Sequence, residues 1–177
     1  MTYPVFASGD VLNASDMNAV GLWLVKTQTI GTTVSSVSVT SAFSSDYDNY
    51  IITVNGGVAS ATCDLRLTLG STATGYYFGF LFRTYAGVTG GDAGSNVAFW
   101  AAGGGTTNSL TMNVQLQNPN LAKNTHFATT YANSATTSAL AISAGYLADT
   151  TAYTAFTITP STGTLTGGTI RVYGYRN

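Results

Sequence analysis

The chain reads as an all-β protein, an antiparallel jelly roll or β-sandwich with a short N-terminal helical or extended attachment arm. Three observations predict that class. Polar and apolar residues alternate in Asp64-Leu65-Arg66-Leu67-Thr68-Leu69 and in Ser109-Leu110-Thr111-Met112-Asn113-Val114-Gln115-Leu116, the period of a strand with one face on a core. The supply of residues is Thr, Val, Tyr, Phe and Ser, with no Glu in all 177 positions, which suits pleated strands and starves a helical bundle. Clusters of Gly, Asn, Pro and Ser punctuate the alternating stretches, as turns require.

Taken in order, the chain divides near residue 21 into an arm, residues 1–21, and a β domain, residues 22–177. In the arm, Asn13 is placed to cap a segment running from Ala14 to Val20, with Asp16 in its first turn and Gly21 after its end. Two turns of helix do not stand alone in water, so Phe6, Val11, Leu12, Met17 and Val20 need a surface to dock on. From Leu22 the period becomes two. Strands are expected at 23–30, 34–39, 50–54, 64–69, 76–85, 97–101, 109–116, 125–131, 139–144, 153–159 and 169–175. The turns between them fall at 55–57, 70–75, 87–94, 103–105, 118–120, 160–163 and 167–168. Such a count, about ten strands, is that of a sandwich or jelly roll. The run Tyr76-Tyr77-Phe78-Gly79-Phe80-Leu81-Phe82 is apolar on both faces. One face of it therefore belongs to a core and the other to a neighbouring subunit. Tyr77, Phe78, Phe80 and Phe82 are the expected interface residues, and Trp100 extends that surface.

Charge sharpens the expectation of assembly. Lys and Arg number 6, Asp and Glu 7, and charged residues are 7% of the chain. A monomer of this mass exposes about 8,000 Å², so each charged group serves roughly 600 Å² of it. Neutral surfaces associate, and burial of much of the surface in an assembly is expected. The near-zero net charge gives no footprint for nucleic acid. No apolar run reaches the length of a membrane span, and the first residues lack the basic and apolar regions of a signal peptide. Synthesis in a cytoplasm is the expectation.

Residues that carry chemistry are few. His126 is the single histidine and Cys63 the single cysteine, so a chain-internal disulfide and a multi-histidine metal site are both out of reach. Asp46 and Asp48 form the one close pair of carboxylates, in Ser44-Ser45-Asp46-Tyr47-Asp48-Asn49-Tyr50. That stretch lacks the ligand pattern of a calcium loop and reads as an Asx-type turn. Gly103-Gly104-Gly105 precedes neither a helix nor a Lys, so it is no phosphate cradle. No G-x-S-x-G elbow is present. The expectation is a protein without catalytic residues, cofactor or metal. Eleven Tyr and 2 Trp leave open a face for a cell-surface glycan.

Two segments carry a resemblance. Phe6-Ala7-Ser8-Gly9-Asp10-Val11-Leu12-Asn13-Ala14-Ser15-Asp16-Met17-Asn18 resembles the F-x-x-G-x-x-L-x-A-x-D-hydrophobic-N opening of structural proteins of tailed bacteriophages. Residues 43–50 and the ending, 163–175, are similar to a β-rich module of phage tail and virion proteins. The resemblance implies an N-terminal attachment segment, in which Phe6, Leu12 and Met17 supply the apolar contacts, and an oligomeric, commonly trimeric, β domain on the virion exterior. It brings no catalytic residues. A tail fibre needs a shaft between anchor and head, and Gly21 leads straight into the β module. A capsid decoration (cement or head-fibre) protein bound to the major capsid protein or another virion protein is therefore expected. A short tail-fibre or tail-tip subunit comes second, and a free carbohydrate-binding module third.

Overall fold

The computed structural model describes residues 8, 9, 11, 21–132 and 140–175. Among these, 58% lie in strands and none in helix, so the protein is all-β and antiparallel. Phe6, Leu12, Met17 and the segment expected to follow Asn13 lie outside the described residues. In chain order the strands are β1 (Trp23–Thr29), β2 (Val37–Val39), β3 (Asn49–Asn55), β4 (Val58–Ala59), β5 (Cys63–Leu69), β6 (Tyr76–Arg83), β7 (Thr89–Val97), β8 (Trp100–Gly105), β9 (Leu110–Gln117), β10 (Thr125–Ala132), β11 (Leu140–Leu147), β12 (Phe156–Pro160), β13 (Leu165–Thr166) and β14 (Thr169–Tyr175).

Twelve of them form one hydrogen-bonded sheet that forks at β9, and β13 pairs with β4 separately. One edge of β9 pairs with β3 through Met112–Gln117. Its other edge is shared: Leu110–Met112 pairs with β8, and Val114–Gln117 with β10. Two leaves result. The larger runs β1-β14-β3-β9-β10-β11-β6-β7, and the smaller runs from β9 through β8, β5 and β12 to β2. At the fork, Thr129 Oγ1 lies 2.9 Å from Ala102 O and 3.0 Å from Asn113 O, bridging carbonyls of the two strands that part there.

Alternation decides what each strand contributes to the space between the leaves. From the larger leaf come Tyr50, Ile52 and Val54, Val114 and Leu116, Phe127, Ile170 and Val172; from the smaller come Leu65, Leu67, Leu69, Trp100, Phe156 and Ile158, all buried. Trp100 stacks on Phe127 with ring centroids 4.6 Å apart and meets Tyr76 edge-on at 4.9 Å. Such aromatic pairs add to the area term of burial. Tyr50 and Tyr76 bring their polar ends into the core already satisfied. Ser44 N donates to Tyr50 Oη, which donates to Ser44 O; Leu69 N donates to Tyr76 Oη, which donates to Thr72 O. Burial raises both phenols above the usual tyrosine range.

The structure shortens the expected strands 34–39 and 153–159 at their starts, adds the short pair β4 and β13, and revises one region outright. Residues 87–94, read as a turn, lie mostly in β7, and 103–105 belong to β8. The expected strand 97–101 instead spans the break between β7 and β8. Glycine here answers close approach rather than chain reversal. A Cβ on Gly103 would come 2.5 Å from Thr111 O, and a Cβ on Gly90 or Gly94 would strike the ring of Phe82 or Phe78.

Candidate binding cleft and outward face

Strand β6 sorts the expected interface residues onto two faces. In register with β11, Phe78 lies opposite Gly145, Phe80 opposite Ser143 and Phe82 opposite Ala141, and these β11 neighbours share the inward row with Phe127, Thr129 and Tyr131 of β10. Phe78, Phe80 and Phe82 are therefore inward and half-buried. Tyr77, Gly79 and Leu81 point the other way. Trp100 corrects the sequence reading outright. It has no exposed surface, because it sits where β8 meets Phe127 and Tyr76, so it is core and extends no outer surface.

The outward face runs across the whole larger leaf. One row of paired residues reads Ala93, Gly79, Ala144, Ala128, Gln115, Ile51, Tyr173 and Leu24, from β7 to β1. Beside it stand Leu81, Ile142 and Leu140, with 68%, 51% and 49% of their surfaces exposed. Tyr77 and Tyr146 stack in parallel, 5.1 Å between centroids. Among the described residues no aspartate occupies an outward position on these strands, whereas Arg83 and Arg171 do. Leu81, Ile142 and Leu140 were not singled out from sequence; the alternation within 76–82 and 140–147 carries the signal once the inward register is known.

On the inward side, the β6–β7 hairpin builds a cleft. The inward row of β7 is Gly90, Asp92 and Gly94, opposite Phe82, Phe80 and Phe78. The rings cover the glycines, leaving Asp92 as the one side chain that row presents beside Phe80. Facing it, β5 contributes Asp64 and Arg66 from its non-core positions, and the link before β8 contributes Phe99. Together they enclose about 240 Å³. The Arg66 guanidinium carbon stands 4.1 Å over the Phe99 ring, a cation–π contact that fixes the charge in place. Partial burial pushes the Asp64 carboxyl above the usual carboxylate range; Arg66 opposes the shift and Asp92 adds to it. Tyr131, also raised, is held up first by burial and then by the charge of Asp64.

The remaining candidates are structural. His126 is exposed on β10, and Cys63 opens β5 in the core with its thiol pushed up by burial. In the turn before β3, Ser44 Oγ accepts from Asp46 N and donates to Asp46 Oδ2, the serine counterpart of the Asx-type turn expected there. Among the described residues no three His, Cys, Asp or Glu side chains gather to hold a metal. No protein-family model, curated protein or solved structure matches this chain.

Proposed function

We propose that this chain is a structural, non-enzymatic protein of a tailed-bacteriophage virion: a homotrimeric capsid decoration protein of the cement or head-fibre type, tethered by residues 1–21. The observation that carries the proposal is the outward face of the larger leaf. It is broad and free of carboxylates, and it sets Leu81, Ile142 and Leu140 among alanines and glycines. Contiguous apolar surface on a soluble protein marks an interaction site. The charged strand positions of this face are Arg83 and Arg171, far apart on the leaf, and the apolar stretch between them fits a like face on another copy better than a cationic partner. Around a threefold axis each copy turns this face inward and meets both neighbours with it, which covers all three faces. The resemblance of residues 6–18 and of the β module to phage structural proteins supports the virion setting. Shape and apolar contact at Phe6, Leu12 and Met17 hold the tether, so attachment resists moderate salt. Three linked arms raise avidity well above that of one.

A second reading, a short tail-fibre or tail-tip subunit, is favoured by the charged and aromatic cleft of the β6–β7 hairpin. Copy number separates the two. Decoration requires an abundance comparable with that of the major capsid protein, whereas a tail subunit is scarce.

The test is sedimentation. The wild-type chain is expected to run as a trimer at micromolar concentration, and Ile142→Lys as a monomer with unchanged strand-type circular dichroism. A monomeric wild type overturns the assembly. Removing residues 1–21 should leave the β domain folded but unable to rebind particles stripped of the protein; undiminished rebinding would reassign attachment to the β domain.

A further inference from the structure

We propose that the cleft between the inward row of the β6–β7 hairpin and Asp64–Arg66 of β5 binds one ring of an uncharged sugar. The proposal stands apart from the assembly reading, because its recognition groups do not belong to the outward face of the larger leaf.

The walls select the ligand class by exclusion. Two carboxylates, Asp64 and Asp92, disfavour an anion, and Arg66 between the leaves disfavours a bare metal cation. A wholly apolar guest would strip water from three charged groups and return no hydrogen bond to them. The space, about 240 Å³, falls below that of drug-sized sites. It admits a single ring and excludes an extended peptide. What remains is a compact molecule that is apolar on one face and ringed with hydroxyls.

Each wall matches a part of such a ring. Phe78, Phe80 and Phe99 offer apolar surfaces to the C–H face of a pyranose. The carboxylates accept hydrogen bonds from hydroxyls, and the guanidinium donates to hydroxyl or ring oxygens. Charge-assisted bonds of this sort are the stronger kind. The parts are also preorganised. Arg66 is pinned on Phe99, Ala93 N donates to Asp92 Oδ1 at 2.8 Å, and Phe78 and Phe82 pack directly on Gly94 and Gly90, in the space a Cβ would fill. Partial burial raises the Asp64 carboxyl above the usual carboxylate range, with Arg66 opposing the shift, a placement that the fold alone would not select.

Saturation-transfer NMR on the full-length chain tests the proposal, with methyl glucoside, methyl galactoside and N-acetylglucosamine as probes and N-acetylneuraminate as the acidic control. At least one neutral sugar is expected to receive saturation, with a dissociation constant on the order of 1 mM, and the acidic sugar to receive less. Asp92→Ala and Phe99→Ala should each weaken binding roughly tenfold or more, with sedimentation and melting temperature unchanged. No transfer to any neutral sugar overturns the proposal. So does transfer that both variants leave intact, or a preference for the acidic sugar. A trimer that binds no sugar sinks this site alone; a monomer that binds sugar sinks the assembly alone.

Discussion

The centre of the larger leaf and its β6–β7 end are built from strands of similar length and alternation, yet they bury their residues to different depths. In β3, β9 and β14, Ile52, Val114, Leu116 and Val172 have no exposed surface. In β6 the bulkier Phe78, Phe80 and Phe82 stay half-exposed. The cause is what lies opposite. The centre faces β5, β12 and Phe43, where Phe43 stacks on Phe156 and meets Tyr50 edge-on. The hairpin extends past that cover, and its phenyl rings fold down over Gly90 and Gly94 of β7 instead. Aromatic density in a strand thus marks two situations: a deep core, or a place where the opposing layer ends and rings cover bare backbone. The second leaves a cleft; the first does not.

Truncation should separate the two regions most widely. Trp100→Ala removes the side chain that joins β8 to Phe127 and Tyr76, and should cost about 3–5 kcal/mol in urea unfolding. Phe82→Ala removes a half-buried ring at the hairpin and should cost about 0.8–1.5 kcal/mol, half the transfer value of full burial. Equal costs would mean that the hairpin is as much core as the centre, and the distinction would fall.

Glycines at the same end of the sheet give the next effect, with opposite signs on its two faces. A Cβ on Gly145 would press into the Tyr77 carbonyl and the Phe78 backbone, whereas one on Gly79, on the outward face of the neighbouring strand, meets nothing within 4 Å. Gly145→Ala should destabilise by about 1–3 kcal/mol. Gly79→Ala should stabilise by about 0.5–1 kcal/mol, since an unstrained strand glycine wastes chain entropy. Thermal melts of the pair decide whether the two faces are as unlike as their contacts indicate.

The same contrast governs what the sequence revealed. Alternating stretches with a full opposing layer, 64–69, 109–116, 125–131 and 169–175, are legible as strands, and β5, β9, β10 and β14 lie there. Strand β7 was not legible: its inward row is two glycines and an aspartate, because Phe82 and Phe78 fill the room that side chains would take. Parity failed at Phe99-Trp100, where adjacent residues face the cleft and the core, beside the irregular register between Leu65 and Arg66. The cleft itself left no local trace. Asp64 and Asp92 are far apart in sequence and converge only because β8 and the β6–β7 hairpin approach across the fork. Proximity in the chain pointed instead to Asp46 and Asp48, which only shape a turn.

The smallest effect distinguishes a carboxylate that the fold tolerates from one that it uses. Asp64, in the cleft, has its pKa raised, first by burial. Asp149, in the loop after β11, has its pKa lowered, first by Tyr153 Oη donating to Oδ2 at 2.7 Å and then by Thr151. The signs follow by linkage. A raised carboxyl binds protons more readily in the folded state, so stability is fullest below the unfolded value of about 3.9 and declines as pH rises through the folded one. A lowered carboxyl contributes stability above that unfolded value and loses it as pH falls through the folded one. Asp64→Asn should therefore raise the melting temperature at pH 7, an advantage that shrinks on acidification. Asp149→Asn should lower it at pH 7, with the deficit closing as pH falls. Both side chains keep contact with water, which screens the effects and keeps them below those of the core and glycine variants. A lower melting temperature for Asp64→Asn at neutral pH would mean that attraction to Arg66 outweighs the desolvation of the cleft, and Asp64 would then hold the fold together rather than stand ready for a ligand.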